Sequence, residues 1–279
     1  MRKHIFHLAA LLLLFVSITS CGGSSETSVT TSADFEMQTI SVDTVCKLFK
    51  GNDSPQCDVH YKLHIADGDD ASYVNKIIVR NLFPVASDST NIELAASEEM
   101  RAIVDDYNAI LKGVTRKSIS EGKFPASMAQ YRRNVTTVSK KVKDDILVYT
   151  ATVQEKAYGE IDSLVNQFTF NISLSERCQI TLDDIFVPGY KDRLAQKIVD
   201  KLSAQYKVSG MEGLQRKGIF IEGIPYASDN IIIADNGLTF VYNPFEIAGR
   251  TYGMINVTVT AEEVKDIMDK KWQTFFELK

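Results

Sequence analysis

The chain has 279 residues, with 31 Lys and Arg against 36 Asp and Glu, a net charge of −5. That length allows one large domain or two modest ones. A mildly acidic balance without a basic block argues against nucleic acid as a partner.

Arg2 and Lys3 open the chain, and Ile5 to Ile18 is an apolar run of fourteen residues interrupted by His7. A membrane-spanning helix needs roughly twenty. A short apolar core behind a basic start reads as a signal peptide over residues 1–20, not as an anchor helix. Ile18-Thr19-Ser20-Cys21 then resembles the lipobox of bacterial lipoproteins. That resemblance implies cleavage before Cys21, lipid on its thiol, and a soluble domain held at a membrane outside the cytosol. Losing Arg2 and Lys3 with the signal would take the net charge from −5 to −7. Gly22 after the cysteine is compatible with sorting to the outer membrane of a diderm cell. Residues 21–36, rich in Gly, Ser and Thr, read as a flexible tether, with structure expected from Phe35.

Met37 to Phe49 and Asp58 to Ile65 read as strands. In the second, Val59, Tyr61, Leu63 and Ile65 alternate with Asp58, His60, Lys62 and His64, which predicts one wet face. His60 and His64 could suggest a metal site. Four strand residues span roughly 13 Å, too far for one ion, so exposed histidines are expected. Cys46 and Cys57 flank Gly51-Asn52-Asp53-Ser54-Pro55. A disulfide between them would close a loop of about a dozen residues, worth roughly 3 kcal/mol in the chain-entropy model. Cys178 would then be left over, and reads as a buried thiol.

A helix is predicted from Asp69-Asp70 and Ser72 through Leu82. A second is predicted from Ser97, capped by that serine, with Met100, Ile103, Val104, Tyr107, Ile110, Leu111 and Val114 at helical spacing. Val135–Val142 and Ile146–Val153 around Lys143-Asp144-Asp145 read as a hairpin, and Val165–Leu174 as a further strand. Tyr190 to Tyr206 is amphipathic. Ile231–Ala234 and Leu238–Tyr242 enclose Asp235-Asn236-Gly237, a hairpin signal. Met254–Val259 is a strand, and Thr260 with Glu263 forms a capping box ahead of Val264, Ile267 and Met268. Strands and helices do not alternate regularly. The expected class is therefore α+β, antiparallel sheets with packed helices in two subdomains, 37–179 and 180–279.

Gly237-Leu238-Thr239-Phe240-Val241-Tyr242-Asn243-Pro244-Phe245-Glu246-Ile247-Ala248, then Tyr252-Gly253, resembles the extracellular domain of the lysozyme-sensing anti-sigma-factor family. Thr181 to Phe186 fits the threonine-leucine-aspartate-aspartate-leucine-phenylalanine segment of the same pair of domains, whose first member is also attached to some peptidoglycan deacetylases (DUF4163- and DUF3298-like). The similarity runs over residues 38 to 270 and is strongest from 165. Many relatives carry a glycine-glycine-alanine-histidine turn where this chain has Ala157-Tyr158-Gly159-Glu160, so any role of that turn does not carry over. The resemblance implies a non-catalytic binding or sensing module in the cell envelope. Its implied partners are peptidoglycan or other glycan, or a lysozyme-like protein.

Among single residues, Tyr242, Asn243, Phe245, Glu246 and Tyr252 form the candidate ligand-binding group. Aromatics beside amide and carboxylate groups suit sugar rings or a protein partner, and the competing reading is core plus a turn. Asp183 and Asp184 are expected to end a strand or cap the next segment. Trp272, near Phe275 and Phe276, reads as packing. There is no phosphate-cradling glycine loop, zinc-spaced Cys/His set or serine elbow. No catalytic residue, metal or cofactor is therefore assigned, although triads can assemble from distant residues. The alternatives are a glycan-acting hydrolase, which needs a cleft with two spaced carboxylates, and a structural or assembly lipoprotein with a large apolar patch.

Overall fold

The computed structural model describes residues 35–221 and 223–279. The signal segment, Cys21 and the tether up to residue 34 lie outside the described residues. No described helix is long and apolar enough to cross a membrane.

The first sheet has six strands in chain order: β1 (Glu36–Lys47), β2 (Gln56–Asp67), β3 (Tyr131–Val142), β4 (Ile146–Lys156), β5 (Leu164–Ser173) and β6 (Cys178–Ile180). Between β2 and β3 the chain forms α1 (Ala71–Leu82), α2 (Ile92–Ile110) and α3 (Arg116–Ser120). The second sheet has β7 (Ile231–Ala234), β8 (Gly237–Tyr242) and β9 (Ile255–Thr260). Around it lie α4 (Leu182–Ile185), α5 (Lys191–Tyr206), α6 (Gly210–Arg216), α7 (Ala261–Val264) and α8 (Lys270–Phe275). The class is α+β, as the irregular element order predicts. One pairing departs from the antiparallel expectation: β2 and β3 run parallel, Cys57 opposite Tyr131 through Lys62 opposite Thr136. The helical crossover between them makes this possible, since parallel neighbours need a long connection.

Helix α2 starts five residues before the predicted Ser97. Asn91 caps it, its Oδ1 accepting from Leu94 N at 2.9 Å, while Ser97 sits inside and donates to Glu93 O at 2.8 Å. Asparagine is among the best N-caps, and Ile92, Ala95 and Ala96 are buried, so the apolar face begins before the larger side chains announce it. Ile110, placed on the buried stripe by spacing, is half-exposed at the helix end, and Leu111 takes the core position. Asp183 and Asp184 lie in the first turn of α4, not at a strand end; Asp184 closes a capping box with Thr181. The Thr260–Glu263 capping box forms as read, but α7 lasts four residues before a 3-10 turn over Lys265–Ile267.

Two cores share strand β4. Leu147, Tyr149 and Val153 face α1 and α2, with Val59, Tyr61, Val74, Ile78 and Met100. Ile146 and Val148 face the other way, joining Leu194, Ile198, Leu202, Phe240 and Trp272. Side chains alternate across a strand, so a strand buried on both faces is apolar at consecutive positions, as Ile146 to Tyr149 are. The C-terminal half therefore packs directly on the outer face of the first sheet.

Towards β1 that outer face is open to water. There His60 Nδ1 lies 2.8 Å from Asp43 and its Nε2 lies 2.5 Å from Asp58. The bond to Asp43 is the main cause that raises the His60 pKa above its ordinary value, against some desolvation. A raised folded-state pKa stabilises fully below the unfolded value and is lost as pH rises through the folded one. With its side chain about half-exposed, solvent screening limits this to about 0.5 kcal/mol. Urea unfolding at pH 5.5 and 8.5 is expected to show His60→Gln losing more stability at the acid pH. An equal loss at both would exclude the charged pair as its source.

Candidate functional site

The candidate residues of the C-terminal half gather around the end of β8. Asn243-Pro244-Phe245-Glu246 is a tight turn, with Glu246 N donating to Asn243 O at 3.1 Å and Asn243 N to Glu246 Oε2 at 2.8 Å. Phe245 has φ +69 and is 61% exposed. Proline at the second position and positive φ at the third are the signature of a type II turn, which favours glycine there. A phenylalanine at such a position costs about 1–2 kcal/mol. Strain of that kind, on an exposed aromatic side chain, motivates a functional reading.

Beneath Phe245 the carboxylate of Glu246 is fixed. Its Oε1 accepts from Tyr226 Oη at 3.0 Å. Ser228 Oγ lies 3.4 Å from the same oxygen, but its proton has a nearer acceptor in Val241 O at 2.9 Å. Partial desolvation of the carboxylate raises the Glu246 pKa, and the bonds from Asn243 N and Tyr226 pull it back down. The Tyr226 phenol is raised as well, first by desolvation and then by that carboxylate. Tyr226 stands edge-on to Tyr242 with ring centroids 5.7 Å apart, and to Phe220 at 6.0 Å.

The five candidate residues divide by what they touch. Tyr242 is fully buried and belongs to the core; its hydroxyl donates to Tyr226 O at 2.5 Å. Asn243 turns inward, accepting from Gln167 N at 2.7 Å and donating to Gln167 O at 3.0 Å. Tyr252 is engaged elsewhere, bonded to Lys217 O and packed 5.8 Å from Tyr206. Phe245 and Glu246 remain at the surface.

Spacing does not reveal the surface partners of this pair. Phe220 N donates to Ile247 O at 2.7 Å, and Ile219 bridges Ala248. Residues 219–221 and 223–226 are thereby laid beside the turn. It brings Tyr226, and it exposes Ile221 at 64% and Ile224 at 88%. The only trace in the sequence is a run of large apolar residues broken by Glu222, Gly223 and Pro225, which has neither helical nor strand periodicity.

The other candidates are absorbed structurally. Asp183 accepts from Tyr190 Oη at 2.9 Å and lines, with Phe186 and Pro188–Asp192, a half-open hollow of about 320 Å³. Asp184 is bonded to Thr181 N and Oγ1. Cys46 and Cys57 are free thiols placed opposite each other on β1 and β2. Trp272 is buried in the second core with Phe275 and Phe276 around it. Among the described residues no group of three or more His, Cys, Asp or Glu is placed to hold a metal ion.

No curated protein matches this sequence. Two solved structures share its fold. One is a member of the DUF3298 family from Bacteroides fragilis NCTC 9343, 19% identical, with TM-score 0.78, covering 89% of this chain and 99% of the other. The second is a DUF3298 family protein from Pseudomonas aeruginosa PAO1, 13% identical, with TM-score 0.56, covering 86% and 98%. Residues 183–262, which include the turn at Phe245 and the strands that carry it, match the family described as "Protein of unknown function (DUF3298)".

Proposed function

We propose that this chain is a lipid-anchored protein of the cell envelope, and that its C-terminal half binds a partner without turning it over. The anchor is Cys21 behind the Ile18-Thr19-Ser20 lipobox, with the following Gly/Ser/Thr segment as tether. The binding surface is the group Ile221, Ile224, Tyr226, Phe245 and Glu246. The observation that carries this reading is Phe245, held outward in a backbone conformation that glycine would occupy at lower cost. The partner is cell-wall glycan or a lysozyme-like protein. Two exposed isoleucines beside the aromatic residues favour the protein, because aliphatic side chains add apolar contact that a sugar edge does not match. The acidic net charge, −7 once Arg2 and Lys3 leave with the signal, also suits a basic partner.

The test uses Phe245→Gly in the full-length protein. Glycine relieves the positive φ, so the variant is expected to unfold at the same temperature as wild type or higher. Retention on immobilised lysozyme, or on peptidoglycan sacculi, is expected to fall at least tenfold. Wild type retained on neither support would sink the proposed partners. A glycine variant retained as well as wild type would sink the proposed surface.

A further inference from the structure

We propose that Cys46 and Cys57 are the two ends of a cross-strand disulfide that staples the edge hairpin β1–β2 under oxidising conditions. They are register partners in the antiparallel pair. Leu48 N donates to Pro55 O at 2.9 Å, just beyond the strand ends. Hydrogen-bonded pairs recur every second residue, so Cys46–Cys57, two positions along, is also one. The Cα atoms of such a pair are about 5.5 Å apart, inside the roughly 4.4–6.8 Å that a disulfide spans. The Cβ atoms, about 5.5 Å apart in such a pair, must close to about 4 Å, and β1, with a strand on one side only, is the member of the pair that can shift.

The third described cysteine is excluded by topology. Cys178 lies on β6, four strands from Cys57 and five from Cys46 in the same sheet. At about 4.8 Å per strand, the nearer separation is roughly 19 Å. What the staple would hold is also defined. The loop joining β1 to β2 is tied to α3: Arg116 pairs with Asp53, bonds Lys50 O and lies over the Phe49 ring at 5.3 Å. Cys46 itself faces α2, with Asn108 Nδ2 3.8 Å from its sulfur. A bridge here would fix the corner where the edge hairpin meets the helical layer.

The two thiols have unequal access, which orders the chemistry. Cys46 is half-buried and Cys57 is fully buried. Burial, with Cys46 beside it, pushes the Cys57 thiol up to about 12. With oxidised glutathione as the donor, the Cys46 thiolate attacks one glutathione sulfur and releases one glutathione thiolate. The Cys57 sulfur then attacks Cys46 in the mixed disulfide, and its proton goes to the second departing glutathione. Two cysteines lose two electrons in total, and one glutathione disulfide becomes two thiols. The second step is the slow one, because the resolving thiol is protonated and enclosed.

The experiment equilibrates the full-length protein with oxidised glutathione, then denatures, alkylates and digests it without reductant. The expected product is one cross-linked peptide joining Cys46 to Cys57, about 2 Da lighter than the reduced pair, with Cys178 alkylated. Both thiols alkylated, or a cross-link from either to Cys178 or Cys21, would overturn the proposal. In a second measurement, reductant is expected to lower the thermal midpoint of the oxidised wild type by several degrees and to leave Cys46→Ser unchanged. An equal shift in both proteins, or none in wild type, would overturn the stapling role. Because the oxidant is supplied in the tube, the result does not depend on where the chain resides. It stands or falls separately from the lysozyme and peptidoglycan assays.

Discussion

Replacing Asn171 with alanine is expected to lower the free energy of unfolding by about 3 kcal/mol, which makes it one of the most damaging single changes in the molecule. Asn171 is 2% exposed, on the outer face of β5. Its amide donates to Ile231 O at 2.7 Å, and its carbonyl accepts from Ile233 N at 3.1 Å. Those two groups lie on the side of β7 away from β8 and have no strand to pair with there, since β7 is an edge. Alanine leaves both buried and unsatisfied, at about 1–3 kcal/mol each. Urea unfolding followed by fluorescence of Trp272, the single tryptophan, reads the loss directly. A change below about 0.5 kcal/mol would mean that the sheets are joined by their apolar contacts alone.

The same device repeats along β5. Strand β6 pairs only with Asn171 to Ser173, so the earlier part of β5 lacks a neighbour on that side. Asn230 Oδ1 accepts from Thr169 N at 2.8 Å, and its amide donates to Gln167 O at 2.6 Å. Asn243 adds two further bonds to Gln167. Asn230 and Asn243 thus do for this edge of β5 what a longer β6 would do, as Asn171 does for the free edge of β7, because a side-chain amide offers the same donor and acceptor as a peptide group. This also fixes the turn at Phe245, since Asn243 is its first residue.

Gly237→Ala is the second change with a large expected effect, again about 3 kcal/mol. A Cβ at Gly237 would lie 2.2 Å from Val259 O and 2.8 Å from Thr260 Cα. Both are backbone atoms of β9 or its end, so relief requires the sheet to shift. Gly249→Ala is the control, because nothing lies within 4 Å of a Cβ there. Thermal unfolding should separate the two variants by several degrees, at roughly 2–4 °C per kcal/mol for a chain of this size. Equal midpoints would show that β9 can move away without loss.

Gly237 illustrates how a correct reading can rest on the wrong cause. Asp235-Asn236-Gly237 predicts a hairpin, and β7 and β8 do turn there, with Ala234 opposite Gly237. The usual reason for such glycines is a left-handed backbone, yet Gly237 is not among the residues with positive φ. It is needed because β9 ends against it. The positive φ falls instead on Phe245, where the residue type gives no warning. The candidate site was similarly half-legible. Its aromatic and carboxylate composition is visible from residues 242 to 252, but composition does not say that Tyr242 and Asn243 face inward while Phe245 and Glu246 face out.

Local periodicity and turn chemistry were enough to determine most elements, the α+β class and both hairpins, because alternation and capping act over a few residues. Contacts between distant segments decided the rest. The parallel β2–β3 pair, the burial of both faces of β4, the asparagine seam along β5 and the arrival of Tyr226 beside Glu246 all join segments with no local signal of their meeting. Each is settled by which buried backbone and apolar groups would otherwise be left without a partner, a condition met only when the whole chain has packed.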